Sequence, residues 1–137
     1  MKFEPNWRYK SIDSLEKTNP GPVPTDESSI VQRLWKLRKV PINEFKIDDI
    51  RFMIIQGIGL KYLLVEAVEV LRENILAEGN YYEGDLLNSI LQLDKKQWKE
   101  HRECWNSINE LIKDKIDALK TIRPALYIKN FYDSRPE

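Results

Sequence analysis

The sequence has one cysteine, one histidine and no long uninterrupted apolar run. The lone Cys104 excludes an internal disulfide, so we expect a fold that its core holds together in a reducing compartment. The most apolar stretch, Gly59 to Val70, is interrupted by Lys61, Glu66 and Glu69, which makes it a poor membrane span. The N-terminal residues lack the apolar run of a secretory signal. We therefore expect a cytoplasmic protein without a membrane segment.

Recognisable catalytic and metal-binding motifs are also missing. The chain has no GxxxxGK[ST] phosphate loop, no GxSxG nucleophile elbow and no HExxH zinc motif. His101 and Cys104 are three residues apart and would share a helix face, but two ligands do not complete a zinc site. We expect no catalytic residues, no metal and no cofactor.

The residues that are present are typical of one helical domain. Of the 137 residues, 42% are apolar and 32% are charged, and only five are glycine. The net charge is zero, which argues against direct binding of nucleic acid. We expect a single all-α domain over residues 1–137, with an irregular lead-in at 1–10 and a tail at 121–137 that docks on the body.

Apolar residues recur at helical spacing along most of the chain, which predicts a compact bundle of five to six helices. The last of them would be a long C-terminal helix of about 40 Å. We expect the segment from Leu60 to Leu76 to be the most buried helix. The predicted helices are a short one capped by Ser11, one from Thr25 or Asp26 to about Lys39, one through 47–58, one over 60–76, one from Glu83 or Asp85 to Leu91, and one from Asp94 to about Lys120 that Pro124 ends.

The stretch AEGNYYEGDLL, residues 77–87, has two interpretations. In the first it is a turn between helices, in which Gly79 and Gly84 take positive φ, the tyrosines cover the edge of the core and Asp85 caps a helix. In the second it contacts a partner, because exposed tyrosine is a favoured interface anchor. Both can hold, since adjacent side chains in a turn rarely point the same way. The candidate partner-binding residues here are Glu78, Tyr81, Tyr82, Glu83 and Asp85.

A second acidic group lies on the preceding helix. Glu66, Glu69 and Glu73 follow each other at spacings of three and four, so they share one face. A solvated face is the ordinary interpretation. The functional one is a negative surface for a basic partner, because residues 46–93 carry eight acidic and four basic side chains.

Two segments together are similar to a known family. NWRYKSIDSLEK, followed by LRKVPINEFKIDDIRFMIIQGIGLKYLLVEAVEVLRENILAEGNYYEGDLLNSIL, resembles the immunity proteins of bacterial contact-dependent growth inhibition systems over about residues 6 to 91. Lys46 departs from the resemblance, since a capping Thr or Ser is expected there, and this leaves the start of the following helix open.

The resemblance implies a binding protein that is not an enzyme. Such a protein binds the C-terminal toxin domain of its own system in the cytosol and protects the producing cell. The toxin domains vary in activity, and many are nucleases. We also expect a monomer in a one-to-one complex, without direct nucleic-acid or membrane contact. The resemblance carries over no toxin-contacting residue.

Two other functions stay open from the residues alone. A helical small-molecule or metal-binding domain would turn Glu66, Glu69 and Glu73 inward, although no Glu-x-x-His pattern accompanies them. A helical scaffold or regulator is the other alternative.

Overall fold

The structure, a computed structural model, describes residues 3–122 and 126–137. Within these ranges the chain is all-α, as predicted, and its only strand-like pairing is one antiparallel bridge between Ser11 and Pro41. Two short 3-10 helices, Trp7–Tyr9 and Ile42–Glu44, accompany nine α-helices in these ranges, so the predicted count of five to six helices is too low. The α-helices of the described residues are α1 (Ile12–Leu15), α2 (Ser29–Leu37), α3 (Ile47–Gln56), α4 (Leu60–Glu73), α5 (Asp85–Leu91), α6 (Lys95–Lys99), α7 (Arg102–Asp114), α8 (Ile116–Leu119) and α9 (Ile128–Asp133).

Side-chain caps fix where several helices begin. Ser11 caps α1, as predicted, by accepting a hydrogen bond from the backbone N–H of Ser14. The start of α2 was predicted wrongly, because Ser28 rather than Thr25 or Asp26 makes its cap. At α3 the carboxylate of Asp49 accepts the backbone N–H of Lys46 at 2.9 Å. Helix α3 therefore begins at Ile47 although Lys46 has no capping oxygen of its own.

The core lies where α3, α4 and α5 pack against one another. Helix α4 contributes a fully buried face, but about half of its residues stay accessible, including Lys61 and Glu69. Every residue of α5 is buried. The prediction that the Leu60–Leu76 segment is the most buried helix is therefore wrong. The short α5 is enclosed by α3, α4 and α9, whereas α4 turns one face to solvent.

The prediction of one long C-terminal helix from Asp94 to about Lys120 is also wrong, because three helices, α6, α7 and α8, occupy that segment. The backbone leaves helical geometry at His101 (φ −135°, ψ 46°) and at Lys115 (φ −115°, ψ 22°). Trp98, Trp105 and Ile108 nevertheless stay buried on both sides of the first break. The break that was expected at Pro124 lies outside the described residues.

The C-terminal segment, residues 126–137, packs on the body as expected of the tail. Phe131 is fully buried, and its ring stacks on Trp105 with centroids 4.6 Å apart. The indole N–H of Trp105 donates to the carbonyl oxygen of Phe131 at 3.2 Å, and the side-chain amide of Asn130 donates to the carbonyl of Leu91 at 2.8 Å.

The N-terminal lead-in is more ordered than predicted. Phe3 and Trp7 form an aromatic cluster with Tyr62 of α4, and the Phe3 ring centroid lies 4.9 Å from each of the other two. This packing stabilises the 3-10 helix Trp7–Tyr9 on the body. Among the described residues, no helix combines the length and the apolar character that crossing a membrane requires.

Candidate functional site

The connection between α4 and α5 is a turn held from inside by carboxylates. We call residues 77–84 the 77–84 turn. Asp85, the first residue of α5, accepts hydrogen bonds from the backbone N–H groups of Gly79 at 2.6 Å, Tyr81 at 3.0 Å and Tyr82 at 3.4 Å. Asp85 is buried, so these hydrogen bonds, rather than water, stabilise its charge. The prediction that Asp85 caps α5 is therefore wrong, because its side chain bonds the turn that precedes the helix. It holds the turn and presents little surface to a partner.

Asp48 of α3 holds the same turn from the other side. Its carboxylate accepts the backbone N–H and the side-chain amide of Asn80, each at 3.0 Å. It also accepts hydrogen bonds from Nε of Arg51 at 2.6 Å and from Nη2 of Arg33 at 2.9 Å. Burial opposes ionisation of this carboxyl, but the bonds from Arg51, Asn80 and Arg33 outweigh it and lower its pKa to about 2.

The two positions of the turn that hold glycine do so for different physical reasons. Gly84 takes positive φ, +86°, as predicted. Gly79 does not, so that prediction is wrong for it. A Cβ at Gly79 would lie 2.7 Å from Oδ1 of Asp48 and 3.1 Å from Oδ2 of Asp85. Gly79 is required because both carboxylates approach its backbone closely.

The two tyrosines point to different environments. Tyr82 is half-buried, and its hydroxyl accepts the side-chain amide of Asn88 at 2.8 Å. Tyr81 is 69% exposed, and its ring lies over the guanidinium of Arg51, with 4.5 Å from Cζ to the ring centroid. Tyr81 thus presents a large aromatic surface to solvent from a fixed backbone.

The ring of Tyr81 borders a shallow cavity of about 170 Å³. Ile55 of α3 borders the same cavity and is 53% exposed, so an aliphatic and an aromatic surface lie together there. Glu78 and Glu83 flank this surface in sequence and are exposed, and none of the described residues forms an ion pair with either. The exposed part of the site is therefore apolar at its centre and negative in its flanking residues.

The second acidic group does not form a uniform negative face. Glu66 is half-buried and accepts Nε of Arg8 at 2.6 Å. Glu69 lies 4.0 Å from Nε of Arg72, and Glu73 is exposed. Arg8 thus neutralises one of the three carboxylates, whereas Glu69 and Glu73 stay exposed. Within the described ranges, no group of three or more His, Cys, Asp and Glu residues is arranged to hold a metal ion.

His101 and Cys104 are both buried at the start of α7. Burial lowers the pKa of His101, which the charge of Glu100 partly opposes. Burial, helped by the charge of Glu103, raises the pKa of the Cys104 thiol to about 11. The thiol is therefore protonated at neutral pH, unlike a catalytic cysteine.

A family model of CDI immunity proteins matches residues 14–108, which is more than two thirds of the chain. The chain belongs to this family. Membership implies a toxin-neutralising immunity protein and agrees with the resemblance found in the sequence. No curated protein matches this immunity protein.

The matched range of this immunity protein includes α3, α4, α5 and the whole 77–84 turn. The C-terminal segment lies beyond it.

Several residues that build the site were not singled out from the sequence. They are Arg33, Arg51, Ile55, Asn80 and Asn88. Their roles depend on contacts between distant parts of the chain, such as Asp48 with Asn80, and no short motif signals those contacts.

Proposed function

We propose that this immunity protein binds the C-terminal toxin domain of its own contact-dependent growth inhibition system and neutralises it in the cytosol of the producing cell. It acts as a monomer in a one-to-one complex and performs no catalysis. The observation that carries the proposal is the 77–84 turn, a rigid element that exposes Tyr81 between acidic residues.

The rigidity of the turn favours binding. Asp48 and Asp85 together accept hydrogen bonds from four turn residues, Gly79 to Tyr82. A loop that is already ordered loses little conformational entropy when a partner docks, so more of the contact energy contributes to affinity. The turn is thus suited to hold an aromatic anchor in place.

The charge of the turn favours a basic partner. Glu78 and Glu83 are exposed, and no described residue neutralises them. Many toxin targets are nucleic acids, and a protein that binds phosphates presents lysine and arginine. Carboxylates on the inhibitor would pair with such a basic cleft and speed association. We propose occlusion of a basic cleft as the mode of inhibition.

The remaining predicted contact residues fall into two groups, those that are exposed and those whose side chains are engaged inside the protein. Glu73 and Glu69 are exposed and stay as candidates for a second contact area. Glu66 forms an ion pair with Arg8, and Asp85 and Tyr82 make hydrogen bonds inside the protein that hold the turn. We therefore propose Glu78, Tyr81 and Glu83 as the principal toxin contacts.

Protection of cells that express the toxin tests this function. The toxin gene is sought directly upstream of the immunity gene, and its C-terminal domain is induced with wild-type protein, Tyr81→Ala or Tyr9→Ala. Tyr9 is a matched control, because it is 70% exposed on the Trp7–Tyr9 helix. We expect wild type and Tyr9→Ala to protect. We expect weaker protection from Tyr81→Ala, because its complex with the toxin domain should dissociate about thirtyfold faster than the wild-type complex. That factor is the equivalent of about 2 kcal/mol, the size expected for a hot spot.

Two results would contradict the proposal. Growth arrest despite wild-type protein would reject toxin neutralisation. Wild-type affinity in folded variants at all five positions, Glu78, Tyr81, Tyr82, Glu83 and Asp85, would place the interface elsewhere. Circular dichroism and a melting curve identify variants that have lost their fold.

A further inference from the structure

The 77–84 turn is joined to the C-terminal segment through one buried side chain. Asn88 of α5 is 2% exposed. Its Nδ2 donates to the hydroxyl of Tyr82 at 2.8 Å, and its Oδ1 accepts the backbone N–H of Tyr127 at 2.8 Å. One amide group therefore fixes the positions of Tyr82 and Tyr127 relative to each other.

A second contact joins the same two parts. Gly84, the last residue of the turn, lies close to this segment: a Cβ there would lie 2.8 Å from Cδ1 of Ile122 and 3.8 Å from Cδ2 of Leu126. Leu126 directly precedes Tyr127. The start of the C-terminal segment thus packs on the end of the turn.

The side chain of Tyr127 is 52% exposed although its backbone is anchored. An exposed aromatic ring on a fixed backbone costs little entropy to bury, which is the property of an interface anchor. Tyr81 and Ile55, which border one cavity together with Tyr82, are likewise exposed. The exposed apolar residues of this region therefore come from three separate elements.

We propose that the toxin docks on a composite surface made of the 77–84 turn, Ile55 of α3 and Tyr127 of the C-terminal segment. This inference rests on the proposed function and extends it to a part of the chain outside the family match. A stable inhibitor interface buries about 800 Å² on each partner, which is more than a turn of eight residues provides alone. Tyr127 and Ile55 supply the additional apolar area.

The chemistry of this surface specifies its partner. Cationic side chains bind over the faces of exposed aromatic rings, and the carboxylates of Glu78 and Glu83 form ion pairs with such cations. The partner surface on the toxin is therefore basic, with lysine or arginine side chains above Tyr81 and Tyr127. Asn88 is a positioning residue, because it holds two of the contributing elements in register.

Side-chain footprinting of the wild-type protein tests the surface without any substitution. Hydroxyl radicals modify exposed tyrosines, and bound toxin shields those that it covers. We expect toxin to protect Tyr81 and Tyr127 together. Tyr9 and Tyr132, which are 70% and 42% exposed, should be modified as in the free protein. Protection of Tyr81 without Tyr127 would overturn the composite surface.

Binding kinetics of two variants in the C-terminal segment provide a second measurement. Tyr132 is a matched control in α9, because it packs against Trp105 with ring centroids 6.4 Å apart. We expect Tyr127→Ala to raise the dissociation rate about tenfold and Tyr132→Ala to change it less than about twofold. Equal effects of the two variants would indicate loosening of the segment and would reject Tyr127 as a contact.

The basic character of the partner is tested by salt. Association of the wild-type protein should slow as ionic strength rises, and salt-independent association would overturn the assignment of a basic partner. Failure of the proposed function is distinguishable, because in that case the wild-type protein does not bind the toxin domain at all.

Discussion

At the scale of single residues, two carboxylates account for the shape of the candidate site. Asp48 and Asp85 come from different helices and converge on the backbone of Gly79, where only a glycine fits. Each carboxylate is buried and fully engaged in hydrogen bonds. Removing either one would leave backbone donors of the turn without partners, and removing Asp48 would also deprive Arg51 of its counter-charge.

Asp48 makes the stability of the protein depend on acid pH. Its pKa is about 2 in the folded protein and about 3.9 in an unfolded chain. Because the folded value is the lower one, the stabilisation is nearly complete above about pH 5, and most of it is lost as pH falls to about 2. We expect a loss of about 2 kcal/mol from this group.

Urea unfolding of the wild type and Asp48→Asn at pH 4, 3 and 2 measures this loss. The variant should be less stable at pH 4, and the gap should narrow as the pH falls. A constant gap would show that Asp48 does not titrate in this range.

The sequence predicted part of this site. The positive φ of Gly84 and the different environments of the two tyrosines followed from local rules of turns. The bond between Asp48 and Asn80 joins residues 32 positions apart, and the bridge from Asn88 to Tyr127 joins residues 39 apart. Local rules contain no information on such pairs.

At the scale of secondary structure, amphipathic stripes were a good guide to where helices lie. They predicted α2 to α5, and the glycines at 57 and 59 end one helix and begin the next with positive φ. The same stripes concealed the breaks at His101 and Lys115. Apolar residues keep helical spacing through the first break, so periodicity alone reads α6 and α7 as one helix.

The helices of the core should be sensitive to truncation of their buried side chains. Leu64 and Leu71 of α4 and Leu87 of α5 are each at most 1% exposed. Replacing any of them by Ala should lower the free energy of unfolding by about 2–5 kcal/mol, because a cavity remains. Ile30→Ala on α2 is the control, since Ile30 is 56% exposed and should cost about 0.5 kcal/mol or less.

Denaturant unfolding of these four variants is the measurement. A loss for Leu87→Ala as small as that for Ile30→Ala would mean that α5 is not part of the core.

At the scale of the whole molecule, zero net charge hides an uneven distribution. Residues 46–93 hold eight of the 22 acidic side chains and four of the 22 basic ones. Several of these acidic groups are neutralised inside the fold, as Asp48 is by Arg51 and Arg33. The surplus that remains available to a partner is concentrated at exposed residues such as Glu73, Glu78 and Glu83. Net charge alone therefore says little about the partner.

Reversing the charge of the turn should change the rate of association. Glu78→Lys with Glu83→Lys should slow association with the toxin domain and make it less dependent on salt, while the fold survives. Glu100→Lys with Glu110→Lys is the matched control on another part of the surface, with the same change in net charge. Stopped-flow association rates at low and high salt compare the two pairs. The same decrease in both would assign the effect to net charge rather than to the turn.

The buried thiol of Cys104 makes the natural sequence a convenient background for labelling. With a pKa of about 11, only about one thiol in ten thousand is ionised at pH 7, so maleimide reagents react with it very slowly. A cysteine introduced at an exposed position, for example in place of Tyr9, would carry a fluorophore or spin label at a single defined place. Distances from that label to a labelled toxin would then orient the two molecules in their complex.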